Sequence, residues 1–380
     1  MRTALILVTL GAAAVAGGPA IAAVDSGIPL PAARCSLTQG AVPGAGPAPL
    51  PRLKDARGAE TTKPHHDAAA LLRSVADIPL PGRPVRFDYQ TGDGQSGLLY
   101  LSHMNDGQIL VFNPRTRQVV GRVAETPGVT GVWVVPELRK LYASVTGRHY
   151  VAVIDTTSLT VRATPGPIGF PDGIAYVPEA GRIFVSDESG GGELVIDGET
   201  DQVVARIPLG GRAGNTKYDS GSGCVLVAVQ TLNQIVAIDP GSAQVVGRYA
   251  PEGADYPHGL YVDAPDRLLF VANQGNSTLQ VVALDTMQVT GTIEVGEDPD
   301  VLAFDPAWQR LYVATERGGL WVYRIRERRL VAEGVLDLPH AHTVSVDPLT
   351  HLVYLPLQNI AGRPVLRILK GVKPANAPGS

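Results

Sequence analysis

One phrase keeps returning along this chain of 380 residues. It reads FPDGIAYV from Phe170, YPHGLYVD from Tyr256, DPDVLAFD from Asp298 and HAHTVSVD from His340. Each copy opens on polar, turn-forming residues and continues as a short alternation of apolar positions, the pattern of a strand. Aligned on the third residue and extended to the weaker copies, the series is Val85, Thr130, Asp172, Asn215, His258, Asp300 and His342. The spacings are 45, 42, 43, 43, 42 and 42 residues. A period of this length marks a repeat architecture, in which each unit is one supersecondary element that buries its faces only against its neighbours.

The units share more than their first strand. A second run reads LYLSH at Leu99, LYASV at Leu141, IFVSD at Ile183, LFVAN at Leu269 and LYVAT at Leu311. A third run, such as VAVID, ELVID and IVAID, ends in Asn or Asp in five units, a natural hairpin-turn residue. A fourth reads QVVGRV at Gln118, QVVARI at Gln202 and QVVGRY at Gln244. Four short antiparallel strands per unit make the blade of a β-propeller. The last unit lacks a fourth run, and LLRSVADIPLPG from Leu71 has its form. The expected fold is therefore all-β, a seven-bladed β-propeller whose last blade is completed by an N-terminal strand.

Composition fits this reading. Apolar residues make up 44% and charged ones 18%, which favours a well-buried core over disorder. A net charge of −4 and 6% aromatics offer neither the basic field nor the stacking platforms of a nucleic-acid binder. Arg2, the apolar stretch Ala4 to Ala16 and the Ala20-Ile21-Ala22 site read as a signal peptide over 1–22. A Pro/Ala/Gly-rich tail over 23–70, the propeller over 71–371 and a short tail over 372–380 follow. No later apolar run is long enough to suggest a membrane span. The expected location is periplasmic or secreted, where Cys35 and Cys224 are free to pair.

The segments LFVANQ, VAVIDTTSLTVRA and TIEVGEDPDVLAFDP resemble the repeat of the bacterial and archaeal YVTN propellers. The resemblance runs from about Leu71 to Lys370 and implies the fold and an exported setting. That family includes surface-layer proteins, exported binding proteins and companions of redox systems, and related seven-bladed propellers include lactonases, lyases and the copper reductase of nitrous oxide. The Asn that closes the family's second strand survives here only at Asn273; the equivalent positions are His103, Val145, Asp187, Val229, Thr315 and Leu357. Whatever a regular ring of Asn does is not carried over.

Propeller topology turns the spacing into geometry. The starts of the first strands and the turns between second and third strands share one face of the ring. The first set supplies Asp172, Asn215, His258, Asp300 and His342, and the second His103, Asp187, Glu188, Asn273 and Glu316. His258, Asp300 and His342, from consecutive blades, suit one divalent ion such as zinc or copper. Asp172, Asp187 and Glu188 would instead suit calcium. The alternative is a metal-assisted, lactonase-like hydrolase or lyase that uses His258, His342 and Asp300, with His103 and Asp172 as further candidates, a His paired with a carboxylate serving as acid or base, although no nucleophile motif accompanies it. The plainest expectation is a binding module that holds a small ligand, metal or partner protein at one channel mouth.

Overall fold

The computed structural model describes residues 35–37 and 68–373. The expected leader, most of the tail at 23–70 and residues 374–380 lie outside them. The strands form seven four-stranded antiparallel sheets. Blade 1 consists of Gln90–Gly92, Leu99–His103, Gln108–Asn113 and Gln118–Val123. Blades 2 to 6 begin with Val129–Val135, Pro171–Val177, Ala213–Asp219, Pro257–Asp263 and Pro299–Asp305. Blade 7 begins with Ser345–Asp347, and its outermost strand is Leu72–Pro79, which pairs with Arg363–Gly371 from Leu72↔Gly371 to Pro79↔Val365. The first and last strands of the described residues thus share a sheet. Ser345 Oγ donates to Gln90 Oε1 at 2.8 Å, which joins blade 7 to blade 1 at the channel.

Burial follows the place of each strand. The second strands Lys140–Val145, Cys224–Val229, Leu268–Asn273 and Arg310–Thr315 are buried at every residue, because neighbouring blades cover both faces. This is why they read as unbroken apolar runs. The fourth strands Gln118–Val123, Gln244–Tyr249 and Gln288–Glu294 alternate exposed with half-buried residues, as strands at the rim must. The recurrent Asn or Asp after the third strand caps the outer hairpin. Asn113, Asp155, Asp197 and Asp239 each accept backbone N–H bonds two and three residues on, at 2.8–3.2 Å. Asp285 pairs with Arg267 at 3.0 Å.

A bulge explains the opening phrase. In blades 2 to 6 the pairing of first and second strands shifts register between residues 129/132, 171/174, 213/216, 257/260 and 299/302. The third residue of the phrase sits inside each shift. A bulge frees that residue from the ladder and re-aims its side chain, here into the channel. Gly131 and Gly259 follow it in blades 2 and 5. A Cβ at Gly131 would collide with the Asp172 carbonyl, and one at Gly259 with the Asp300 carbonyl. Glycine lets the first strands of neighbouring blades crowd together around the axis.

Blade 1 corrects the alignment. Gln90 pairs with Leu101 as Val132 pairs with Ala143 in blade 2, so the counterpart of Thr130 is Asp88, not Val85. The interval from Asp88 to Thr130 is then 42 residues, matching the rest.

Cys35 and Cys224 form a disulfide, and Ser36 N donates to Ser222 O at 2.9 Å. The short segment 35–37 is thereby fixed to the start of the second strand of blade 4.

Candidate functional site

Six residues at one register position, Asp88, Thr130, Asp172, His258, Asp300 and His342, ring the channel; in blade 4, where Thr216 pairs with Val227 as Val132 pairs with Ala143, that position is Gly214 and Asn215 follows it. All are buried. Side-chain hydroxyls that donate to backbone carbonyls of the next blade hold their strands in place. Thr130 Oγ1 donates to Pro171 O at 2.9 Å, and Ser144 Oγ donates to Asp172 O at 2.8 Å.

Asp300 is the hub. Its Oδ1 lies 3.0 Å from His258 Nε2, and its Oδ2 lies 3.0 Å from His342 Nε2. The Oδ1 contact is an ion pair without hydrogen-bond alignment, so that oxygen is buried with no hydrogen bond. His342 Nε2 also lies 3.5 Å from Asp88 Oδ1 and 2.8 Å from Arg86 Nη2. Arg86 reaches Glu316 at 3.4 Å and Asp88 at 3.6 Å, so three carboxylates surround two neighbouring basic groups. On the other side His258 Nε2 lies 3.9 Å from Asp172 Oδ2, and the Gln230 amide meets His258 Nδ1. The Tyr89 hydroxyl donates to Asp172 at 3.5 Å and accepts from Asn215 Nδ2 at 2.5 Å.

Arg86, Asp88, Tyr89, Asp172, His258 and Asp300 line the floor of a cavity of about 350 Å³, and His342 joins that floor through its contact with Asp300. Glu188, Arg212, Phe170, Tyr256 and Glu316 form part of its wall. Arg212 Nε donates to Glu188 at 2.8 Å, so the wall carries paired charges of both signs. Below Tyr89 a second space of about 170 Å³ is lined by Asn215 and Lys217. Burial pushes the Lys217 amine down to about 8, and the amine lies 5.9 Å from the Trp133 ring centre.

Charge coupling sets the protonation of the floor. Burial opposes the charge of both imidazoles, but the carboxylates overcome it. Asp300 helps to raise His258 to about 9, and Asp88 with Asp300 raises His342 to about 10. Burial would also raise Asp300, yet the two imidazoles hold it well below the usual carboxylate range. Burial wins at Asp172, which is pushed up to about 8 despite His258. Burial thus favours the protonated form at Asp172, while Asp300, three blades further along the chain, is held as a carboxylate.

The sequence candidates fall into two groups. Asp172, His258 and Asp300 meet on the floor, His342 is bound to it through Asp300, Asn215 lies just below, and Glu188 and Glu316 stand on the wall. The other three have local roles. Asp187 accepts the N–H groups of Gly169, Phe170 and Gly190 at 2.8–2.9 Å, which ties the loop before blade 3. The all-oxygen set with Asp172 and Glu188 is therefore not assembled. Asn273 is buried and donates to Thr278 Oγ1 across the turn at 3.1 Å. His103 is fully buried and stacks on Phe87 with ring centres 4.0 Å apart. Sequence reading missed Arg86, Asp88, Tyr89 and Gln230. Asp88 was detectable by its 42-residue interval; the others carry no repeat signature.

No family model matches the chain, and no curated protein matches it. Solved structures do. The structure of U3-55K is similar with a TM-score of 0.66 at 8% identity, over 80% of this chain and 100% of that one. The hydrazine synthase of Kuenenia stuttgartiensis is similar with a TM-score of 0.63 at 14% identity, over 78% and 97%. At these identities the likeness shows the propeller fold alone. Among the described residues no helix is long and apolar enough to cross a membrane.

Proposed function

We propose that this propeller is a binding module whose channel mouth takes a small polar ligand, with the His258–Asp300–His342 bridge as its floor. One observation carries the reading. A carboxylate flanked by two buried imidazoles lies at the bottom of an open cavity of about 350 Å³, a volume that suits a small molecule. Buried charges of this kind are weak devices for stability, because desolvation offsets most of their attraction. A ligand bearing both donors and acceptors matches walls that carry Glu188, Arg212, Arg86 and Glu316. The test is a thermal-shift screen with sugars, lactones, hydroxy acids and amines against wild type and His258→Ala. The reading expects at least one compound to raise the melting temperature of wild type and to lose that effect in the variant. An unchanged shift in His258→Ala would place binding elsewhere.

A second reading has its own support. The Asp172 acid group lies within reach of His258 and the Tyr89 hydroxyl, an arrangement able to donate a proton to a leaving group. This is the hydrolase or lyase alternative. Turnover of a lactone or polysaccharide panel, abolished in Asp172→Asn with ligand binding retained, would establish it.

Export and membership of the YVTN-repeat propellers belong to the same proposal. The Cys35–Cys224 disulfide supports an oxidising compartment. Terminal sequencing of protein from the periplasm or medium should find a start near Ala23; a cytoplasmic, uncleaved chain would contradict export.

A further inference from the structure

We infer that Asp88, Asp300 and His342 form a binding site for one divalent transition-metal ion, and that the Arg86 guanidinium competes for the same place. Each of the three residues presents one ligand atom, and these atoms lie within 4.8 Å of one another. All three side chains are buried at 6% exposure or less. Two edges of the triangle fit an ion, and the third lies within the 4.8 Å bound. His342 Nε2 lies 3.0 Å from Asp300 Oδ2 and 3.5 Å from Asp88 Oδ1. Ligands about 2.1 Å from a common ion stand roughly 3.0 Å apart in octahedral and 3.4 Å apart in tetrahedral geometry. Asp300 Oδ1 is buried without a hydrogen bond, its contact being the ion pair with His258 Nε2 at 3.0 Å.

The donor set points to the metal class. One imidazole and two carboxylates suit zinc, manganese or ferrous iron better than copper(I), which prefers sulfur, or calcium, which prefers six to eight oxygens. Three protein ligands leave positions open toward the cavity, as in sites where the ion itself binds the ligand. His258 holds the other oxygen of Asp300 and acts as an outer partner that orients it.

Arg86 is the internal rival. Its Nη2 lies 2.8 Å from His342 Nε2 and 3.6 Å from Asp88, so the guanidinium and an ion cannot both be accommodated there. The side chain is 33% exposed and can swing toward solvent, where Glu316 at 3.4 Å offers a partner. The inference does not depend on the small-ligand reading. A protein that binds metal but no compound of the screen keeps the metal site and loses that reading, and the converse outcome does the opposite.

Isothermal titration with Zn²⁺ and Mn²⁺ on the chelator-treated full chain tests it. Wild type should bind one equivalent of at least one ion. Asp88→Asn and His342→Gln should weaken binding at least 100-fold, and His258→Ala by the 10- to 100-fold expected for an outer partner. Arg86→Gln removes the rival without touching a ligand atom and should tighten binding about 10-fold. That variant keeps the test decisive if either ligand variant fails to fold. Absence of binding in both wild type and Arg86→Gln overturns the inference. So does equal affinity in wild type and a folded Asp88→Asn, or weaker binding in Arg86→Gln.

Discussion

At the residue scale, a polar side chain near the ring has two quite different uses. His103 and His258 both stand where the alternation places a polar group in the ring. Only His258 enters the charge network; His103 stacks on Phe87 inside blade 1. Burial holds the His103 imidazole below its ordinary value of 6.5, although nearby Asp106 works the other way. The unfolded chain therefore binds that proton more readily than the folded one. The His103 contribution is complete above pH 6.5 and is lost as pH falls from there through the lower folded value. Denaturant unfolding at pH 7.5 and pH 5 should show wild type losing more stability than His103→Phe; equal losses would mean that His103 is charged in the fold. The sequence placed His258, Asp300 and His342 together because a constant interval in a ring becomes proximity. It could not separate His103 from them, because stacking on Phe87 is a local packing choice with no periodic trace.

At the scale of the element, the bulge converts a strand into a site. Period two and the 42-residue interval were enough to place every blade, since burial from both sides forces the second strand to be apolar in all seven. Blade 1 escaped that reading in part. Its first strand is only Gln90–Gly92, and the residues before it lack the recurring phrase, so Asp88 was displaced by three positions in the alignment. Arg86 and Tyr89 flank that position and were hidden with it. The bulge glycine gives a direct test. Gly259→Ala should be destabilised by about 1–3 kcal/mol through overpacking against the Asp300 carbonyl. It should also weaken any binding that depends on His258 and Asp300. Gly291, where an added Cβ meets nothing within 4 Å, is the control, and Gly291→Ala should stay near wild type. Similar unfolding midpoints for the two variants would show that close approach at the channel is not what fixes the bulge.

For the whole molecule, closure is the organising fact. The strand Leu72–Pro79 completes blade 7, and residues 35–37 are tied to blade 4 by a disulfide between cysteines 189 apart in sequence. Deleting residues 71–81 should expose the edge of Arg363–Gly371 and lower the melting temperature, with self-association visible by size-exclusion chromatography. A monomer of unchanged stability would contradict the closure. Cys35→Ser should cost roughly 2–4 kcal/mol, read by chemical denaturation under non-reducing conditions. The ring also explains why residues from blades 1, 3, 5, 6 and 7 meet on one floor, with Asp300 between two imidazoles. That convergence is the account's central claim about function, and Asp300→Asn tests it most directly because it removes the charge and keeps the shape. The measurement is the melting temperature of wild type and Asp300→Asn across the compound panel and with added Zn²⁺. The account predicts ligand-dependent rises in wild type that disappear in a folded Asp300→Asn. Rises of the same size in both proteins would show that the channel mouth is not where this propeller binds.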